Sequence, residues 1–122
     1  MAVNSKKIKL KTVLMNNRKW PLIIVGGVAT DFNAPILPAT ISPRDLNICD
    51  WVTELVAMNT DQMVIDGLDK LRVSDQQKFI TLLKDRRAGL HKLPDNIQII
   101  IPVKFVDKLD KKIKELALVY NV

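Results

Sequence analysis

Short apolar runs alternate along this chain with stretches of helical period. Leu22-Ile23-Ile24-Val25 is a continuous apolar run closed by Gly26-Gly27. Such a run between breakers predicts a strand buried on both faces. Further short strands are predicted over 37–41, over 63–66 and over 97–101, the last stopped by Pro102. Between them lie helical patterns. Ser42-Pro43-Arg44-Asp45 reads as a helix start, with serine as N-cap, proline at the first turn and an acid behind it. That helix is predicted to run to 58, with Ile48, Trp51, Val52, Leu55 and Val56 forming one apolar stripe. Ser74-Asp75-Gln76-Gln77 reads as a capping box. The helix behind it buries Phe79, Ile80, Leu82 and Leu83, and Gly89 stands at its C-terminal stop. A last helix over 107–120 places Leu109, Ile113, Leu116, Ala117 and Tyr120 on one face, with Lys108, Lys111, Lys112, Lys114 and Glu115 turned away.

Strands of this kind alternating with amphipathic helices predict an α/β domain: a four-stranded, mostly parallel sheet with helices on both faces. Residues 26–36 carry glycine, asparagine and proline without helical period, so a loop joins the first two strands. Only Asn121-Val122 follow the last predicted helix, so no fifth strand is expected. The edge beside Leu22–Val25 is then expected to be open unless residues 1–19 fold over it, and an open apolar edge invites pairing with a second chain or a partner protein.

Composition adds little to the fold and more to the partners. The 122 residues are 48% hydrophobic and 26% charged, as in ordinary globular domains. The net charge of +6 is unevenly placed. Lys6, Lys7, Lys9, Lys11, Arg18 and Lys19 fall within residues 1–20, which hold no acid. We read 1–20 as a basic N-terminal arm or helix and 21–122 as a single domain. The arm is a candidate contact for a phosphate backbone or a partner. No apolar run approaches the ~20 residues of a membrane helix, and no signal core follows the basic start, so the expected location is the cytoplasm. The single cysteine, Cys49, fits a reducing compartment and reads as a buried structural thiol.

Met63-Val64-Ile65-Asp66 has the form of the Walker-B strand of P-loop NTPases, in which the terminal carboxylate holds the magnesium shell. The stretches Asp66-Gly67-Leu68-Asp69-Lys70-Leu71, Gln76-Gln77, Leu82-Leu83-Lys84-Asp85-Arg86-Arg87-Ala88-Gly89 and Lys92-Leu93-Pro94-Asp95-Asn96-Ile97 follow it, and Ser42-Pro43-Arg44-Asp45-Leu46 precedes it. Together they resemble AAA+ ATPases of the MoxR and magnesium-chelatase type. The resemblance implies a truncated P-loop NTPase-like sheet in the order first, fourth, third, second strand; in the intact family a fifth strand lies beside the first.

The departures from that family bear on activity. Its phosphate loop reads G-x-x-x-x-G-K-[ST]; here Gly26-Gly27-Val28-Ala29-Thr30-Asp31 follows the first strand, with no lysine and no magnesium-binding hydroxyl behind it. Gly26, Gly27 and Thr30 mark the degenerate loop, and Asp31 would repel a nucleotide. Gly67 stands where the catalytic glutamate belongs, and Pro102-Val103-Lys104 where a γ-phosphate sensor belongs. The family's helical lid is not expected in this chain. Asp66 then reads as a strand-end carboxylate that caps backbone N–H groups. Arg86 and Arg87 have the chemistry of an arginine finger for a partner's site, or of cations set against their own helix dipole. His91, the one histidine, falls in a charged turn and reads as a surface residue. No enzymatic activity, cofactor or metal is expected. The first functional expectation is a non-catalytic interaction or regulatory module that binds another protein, a true AAA+ ATPase or a second copy of itself. The second is nucleic-acid-backbone binding through the basic segment with Lys108, Lys111, Lys112 and Lys114. The third is a residual nucleotide-binding protein.

Overall fold

The computed structural model describes residues 20–48 and 50–121. Its centre is a parallel sheet of five strands: β1 (Leu22–Val25), β2 (Ile36–Pro38), β3 (Gln62–Asp66), β6 (Gln98–Val103) and β7 (Leu118–Asn121), in the order β2-β3-β6-β1-β7. The protein is thus α/β with a mostly parallel sheet. A separate antiparallel hairpin joins β4 (Arg87–Ala88) to β5 (His91–Lys92).

Side chains alternate along each strand and divide the core into two layers. Ile23, Met63, Ile65, Ile99, Ile101 and Val103 face the larger one. Leu22, Ile24, Val64 and Ile100 face the smaller one. Helices were expected on both faces. Among the described residues they supply only the larger layer, through Leu46 of α1 (Pro43–Asn47), Val52 and Leu55 of α2 (Asp50–Ala57), Leu82 and Leu83 of α4 (Ile80–Asp85) and Ile113 of α5 (Lys111–Leu116). The smaller layer is closed by Ala29, Phe32 and Ala34 of the β1–β2 connection and by Tyr120 of β7. That connection is therefore a packed lining, and it contains a 3-10 turn at Ala29–Asp31.

The fifth strand corrects the expectation of four strands and an open β1 edge. The last helix stops at Leu116 because Ala117 turns extended (φ −127°, ψ 159°). Leu118 then donates its N–H to the Pro21 carbonyl at 2.9 Å, and Leu118 to Asn121 run beside Leu22 to Val25. Ladder hydrogen bonds along a fully buried apolar strand outweigh one more helical turn, since buried backbone groups must be paired.

β6 likewise runs through Pro102 instead of stopping there. Its ladder with β3 extends only to Ile100, while the ladder with β1 continues to Val103. The Val103 carbonyl accepts Gly26 N–H on the β1 side, so Pro102 directs its missing donor towards the side where β3 no longer pairs.

The predicted 42–58 helix is two helices. Ile48 is extended (ψ 139°) and ends α1. The Trp51 indole donates to the freed Leu46 carbonyl at 2.8 Å, which satisfies the break. Ile48 and Val56, both expected in the buried stripe, are exposed. The helix expected after Ser74 starts earlier, as α3 (Val73–Gln76) with Arg72 as N-cap, and passes through a 3-10 turn at Gln77–Phe79 into α4. It ends at Arg86, which takes the left-handed conformation (φ 54°). Gly89 is not the helix stop: it turns the β4–β5 hairpin at φ 60°, where a Cβ would lie 2.6 Å from the Asn47 carbonyl oxygen.

Candidate functional site

In a parallel sheet, ligand sites form outside the carboxyl ends of the strands. The central strands β1, β3 and β6 are followed there by residues 26–31, 67–72 and 104–108.

The segment after β1 is self-contained. Gly26 N–H donates to the Val103 carbonyl at 2.9 Å, and Gly27 N–H reaches the Ile24 carbonyl at 3.4 Å. Val28 N–H donates to the Asp31 carboxylate at 2.9 Å. Three successive amides at the position of a phosphate loop are therefore engaged by the protein's own oxygens, one of them anionic. Thr30 is exposed at the crest of the turn.

Asp66 ends β3 as an exposed side chain. The capping role expected of it belongs to Asp69. Asp69 is buried in the 3-10 turn Leu68–Lys70, and its carboxylate accepts Lys104 N–H at 2.9 Å and Phe105 N–H at 3.1 Å. A fully buried amide, Gln76, completes this frame. Its nitrogen donates to the Leu71 carbonyl at 3.0 Å and the Lys108 carbonyl at 2.9 Å, and its oxygen accepts Asp110 N–H at 2.6 Å. Asp110 in turn caps α5 by accepting Lys112 N–H at 2.7 Å. The turn after β3, the turn after β6 and the start of α5 are thus locked into one unit.

Over this unit lies a groove of about 390 Å³, lined by Lys70, Leu71, Arg72, Val73, Lys104, Phe105 and Lys108, with Asp69 at its base. Phe105 is 45% exposed. The Lys108 and Lys104 ammonium groups lie 4.6 and 5.5 Å from the centre of its ring, in cation–π range. Arg72 pairs with Asp75 at 3.4 Å, both exposed. Four cations from two segments, with half-exposed apolar side chains between them, make a surface suited to an anionic, partly apolar partner. The local pattern Lys104-Phe105-x-x-Lys108 was the available signal, and the inward-held backbone of 104–108 gives it its shape.

Arg86 is not a free finger. Its guanidinium donates to the Pro94 and Ile97 carbonyls, which ties the end of α4 to the start of β6. Burial pushes it below its ordinary value, and Asp95 partly opposes that. Its Nη1 is buried without a partner among the described residues. Arg87 and His91 are exposed on the hairpin, and Leu90 at its tip is 90% exposed. Lys111 and Lys112 are exposed on α5. Lys6, Lys7, Lys9, Lys11, Arg18, Lys19 and Cys49 lie outside the described residues. Among the described residues, no group of three or more His, Cys, Asp or Glu side chains could hold a metal ion. No helix among them is long and apolar enough to cross a membrane. No protein-family model matches the chain, and no curated protein matches it.

Proposed function

We propose that this protein is a non-catalytic interaction module, related in architecture to the AAA+ core and acting by binding another protein. The observation that carries the reading is the Asp31 carboxylate on Val28 N–H. A nucleotide's phosphates would need that amide and its neighbours at 26 and 27, and would meet a fixed negative charge in their place. The succession β1, β6, β3, β2, with β7 flanking β1, supports the architectural half, because it is the order the AAA+ resemblance implies. The basic, partly apolar groove supports the binding half. Its frame is held by buried hydrogen bonds, and a surface ordered in advance loses less entropy when a partner docks.

Isothermal titration calorimetry with ATP and magnesium tests the reading. No heat of binding is expected, and a micromolar dissociation constant would overturn it.

A second reading, contact with a nucleic-acid backbone, is favoured by the placement of Lys104, Lys108, Lys111 and Lys112 on neighbouring exposed positions. Phe105 is a poor platform for bases, since its ring already holds two ammonium groups. Fluorescence anisotropy with a single-stranded oligonucleotide across a salt series separates the readings. A steep loss of affinity with salt, removed by Lys111→Gln with Lys112→Gln, would favour this second one.

A further inference from the structure

The two halves of the folded domain carry opposite charge. Residues 21–69 hold seven acids and a single cation, Arg44, whereas residues 70–122 hold twelve cations and six acids. Three of the seven acids meet at the α1–α2 corner, where Asp45, Asp50 and Glu54 surround a shallow depression with Ile41, Ile48 and Trp51. Four of the twelve cations, Lys70, Arg72, Lys104 and Lys108, meet at the groove. Among the described residues, Asp45, Asp50 and Glu54 take part in no ion pair, and neither do Lys70, Lys104 and Lys108.

The two surfaces are continuous. Between them runs a saddle lined by Thr40, Pro43, Ser74, Asp75 and Lys78, neutral in sum because it holds one acid and one cation. Leu71 lines both the saddle and the basic groove, and Ile41, next to Thr40, lines the acidic depression. A face with acid at one end, base at the other and a neutral middle is complementary to itself under a two-fold rotation. Residue i of one copy then meets residue j of the other, and j meets i.

We propose that the basic groove receives the α1–α2 corner of a second copy of this chain, in a two-fold dimer whose axis passes over the Thr40–Ser74 saddle. Each copy sets Asp45, Asp50 and Glu54 against the partner copy's lysines and arginine, and sets half-exposed Ile48 against Phe105 and Val73. The basic segment 1–20, with six cations and no acid, is not complementary in charge to the groove. The edge of β1 plays no part, because β7 covers it. The proposal rests on the interaction-module reading and names its partner.

Sedimentation equilibrium of the full chain tests it. At low ionic strength a dimer is expected, dissociating as salt screens the exposed pairs. Lys104→Glu with Lys108→Glu weakens the dimer at least about tenfold, because attraction becomes repulsion at two symmetry-related places. Asp50→Lys with Glu54→Lys does the same. An equimolar mixture of the two variants forms a heterodimer, since acid again meets base at both ends. Circular dichroism melts check that each variant folds. If a reversal unfolds the chain, Lys104→Gln with Lys108→Gln reads the same loss at smaller size. A parent chain that stays monomeric at low salt up to its solubility limit would overturn the proposal. So would a dimer indifferent to Lys104 and Lys108, or a mixture without heterodimer. Nucleotide titration decides the module reading separately, so the two can fail independently.

Discussion

Asp110 donates its backbone N–H to the side-chain oxygen of Gln76 across 2.6 Å, although 34 residues separate them. The same Gln76 nitrogen bonds the Leu71 and Lys108 carbonyls, so one fully buried amide satisfies three backbone groups from three segments. Gln76→Leu keeps the approximate volume and strands all three. It is expected to cost about 2–3 kcal/mol, within the range for buried polar groups left unpaired. Urea denaturation measures it; a loss below about 1 kcal/mol would show that water replaces the amide.

Arg86 offers a contrast between backbone and side chain. Its left-handed φ of 54° favours glycine, yet its guanidinium bonds two carbonyls at the start of β6. Arg86→Ala removes those bonds and keeps the strained backbone, at an expected cost of about 2–3 kcal/mol. Arg86→Gly removes the same bonds but relieves the strain, so it should recover about 1 kcal/mol. Equal stability of the two variants in thermal melts would show that the conformation at 86 carries no strain.

The turn after β1 gives a third expectation. Asp31→Ala frees Val28 N–H and removes the carboxylate, yet no lysine is introduced. The variant is expected to lose about 0.5–1 kcal/mol, as for an exposed cap, and to gain no measurable ATP affinity. Micromolar ATP binding by the variant would show that Asp31 alone blocks the site.

Removal of residues 118–122 tests β7. The loss uncovers the N–H and C=O groups of β1, whose Leu22, Ile23 and Ile24 are fully buried. An open apolar edge recruits other chains, so the shortened chain is expected to aggregate or to unfold at lower temperature. Light scattering and thermal melts measure this. An unchanged melt without aggregation would mean that β7 contributes nothing to the sheet.

The charges of the candidate groove were legible in the sequence; their convergence was not. Lys70 and Arg72 lie more than thirty positions from Lys104 and Lys108 in the chain. The groove exists because the Asp69 carboxylate grips the amides of Lys104 and Phe105. Nothing in a charge pattern distinguishes Asp69, which is buried and bonded, from Asp66, which ends β3 exposed. Local pattern favoured Asp66 because strand ends are visible in a sequence, whereas the acceptor needed by a distant turn is not.

By itself, the sequence determined that the domain is α/β and where three of its parallel strands lie; the strand expected over 37–41 is instead Ile36–Pro38, with a turn behind it. Leu22–Val25, Met63–Ile65 and Ile99–Ile101 are apolar on every position, and only a strand covered on both faces can use such a run. It also determined the N-cap at Ser42, whose hydroxyl accepts Asp45 N–H at 3.1 Å, because capping depends on neighbours along the chain. The tertiary structure alone decided that Leu118–Asn121 leave the helix to pair with β1, that the helix from Ser42 breaks at Ile48, and that Pro102 stays within β6. In each case local propensity allows two conformations. The choice falls to whichever leaves fewer buried backbone groups unpaired, and that count depends on strands and side chains far away in the chain.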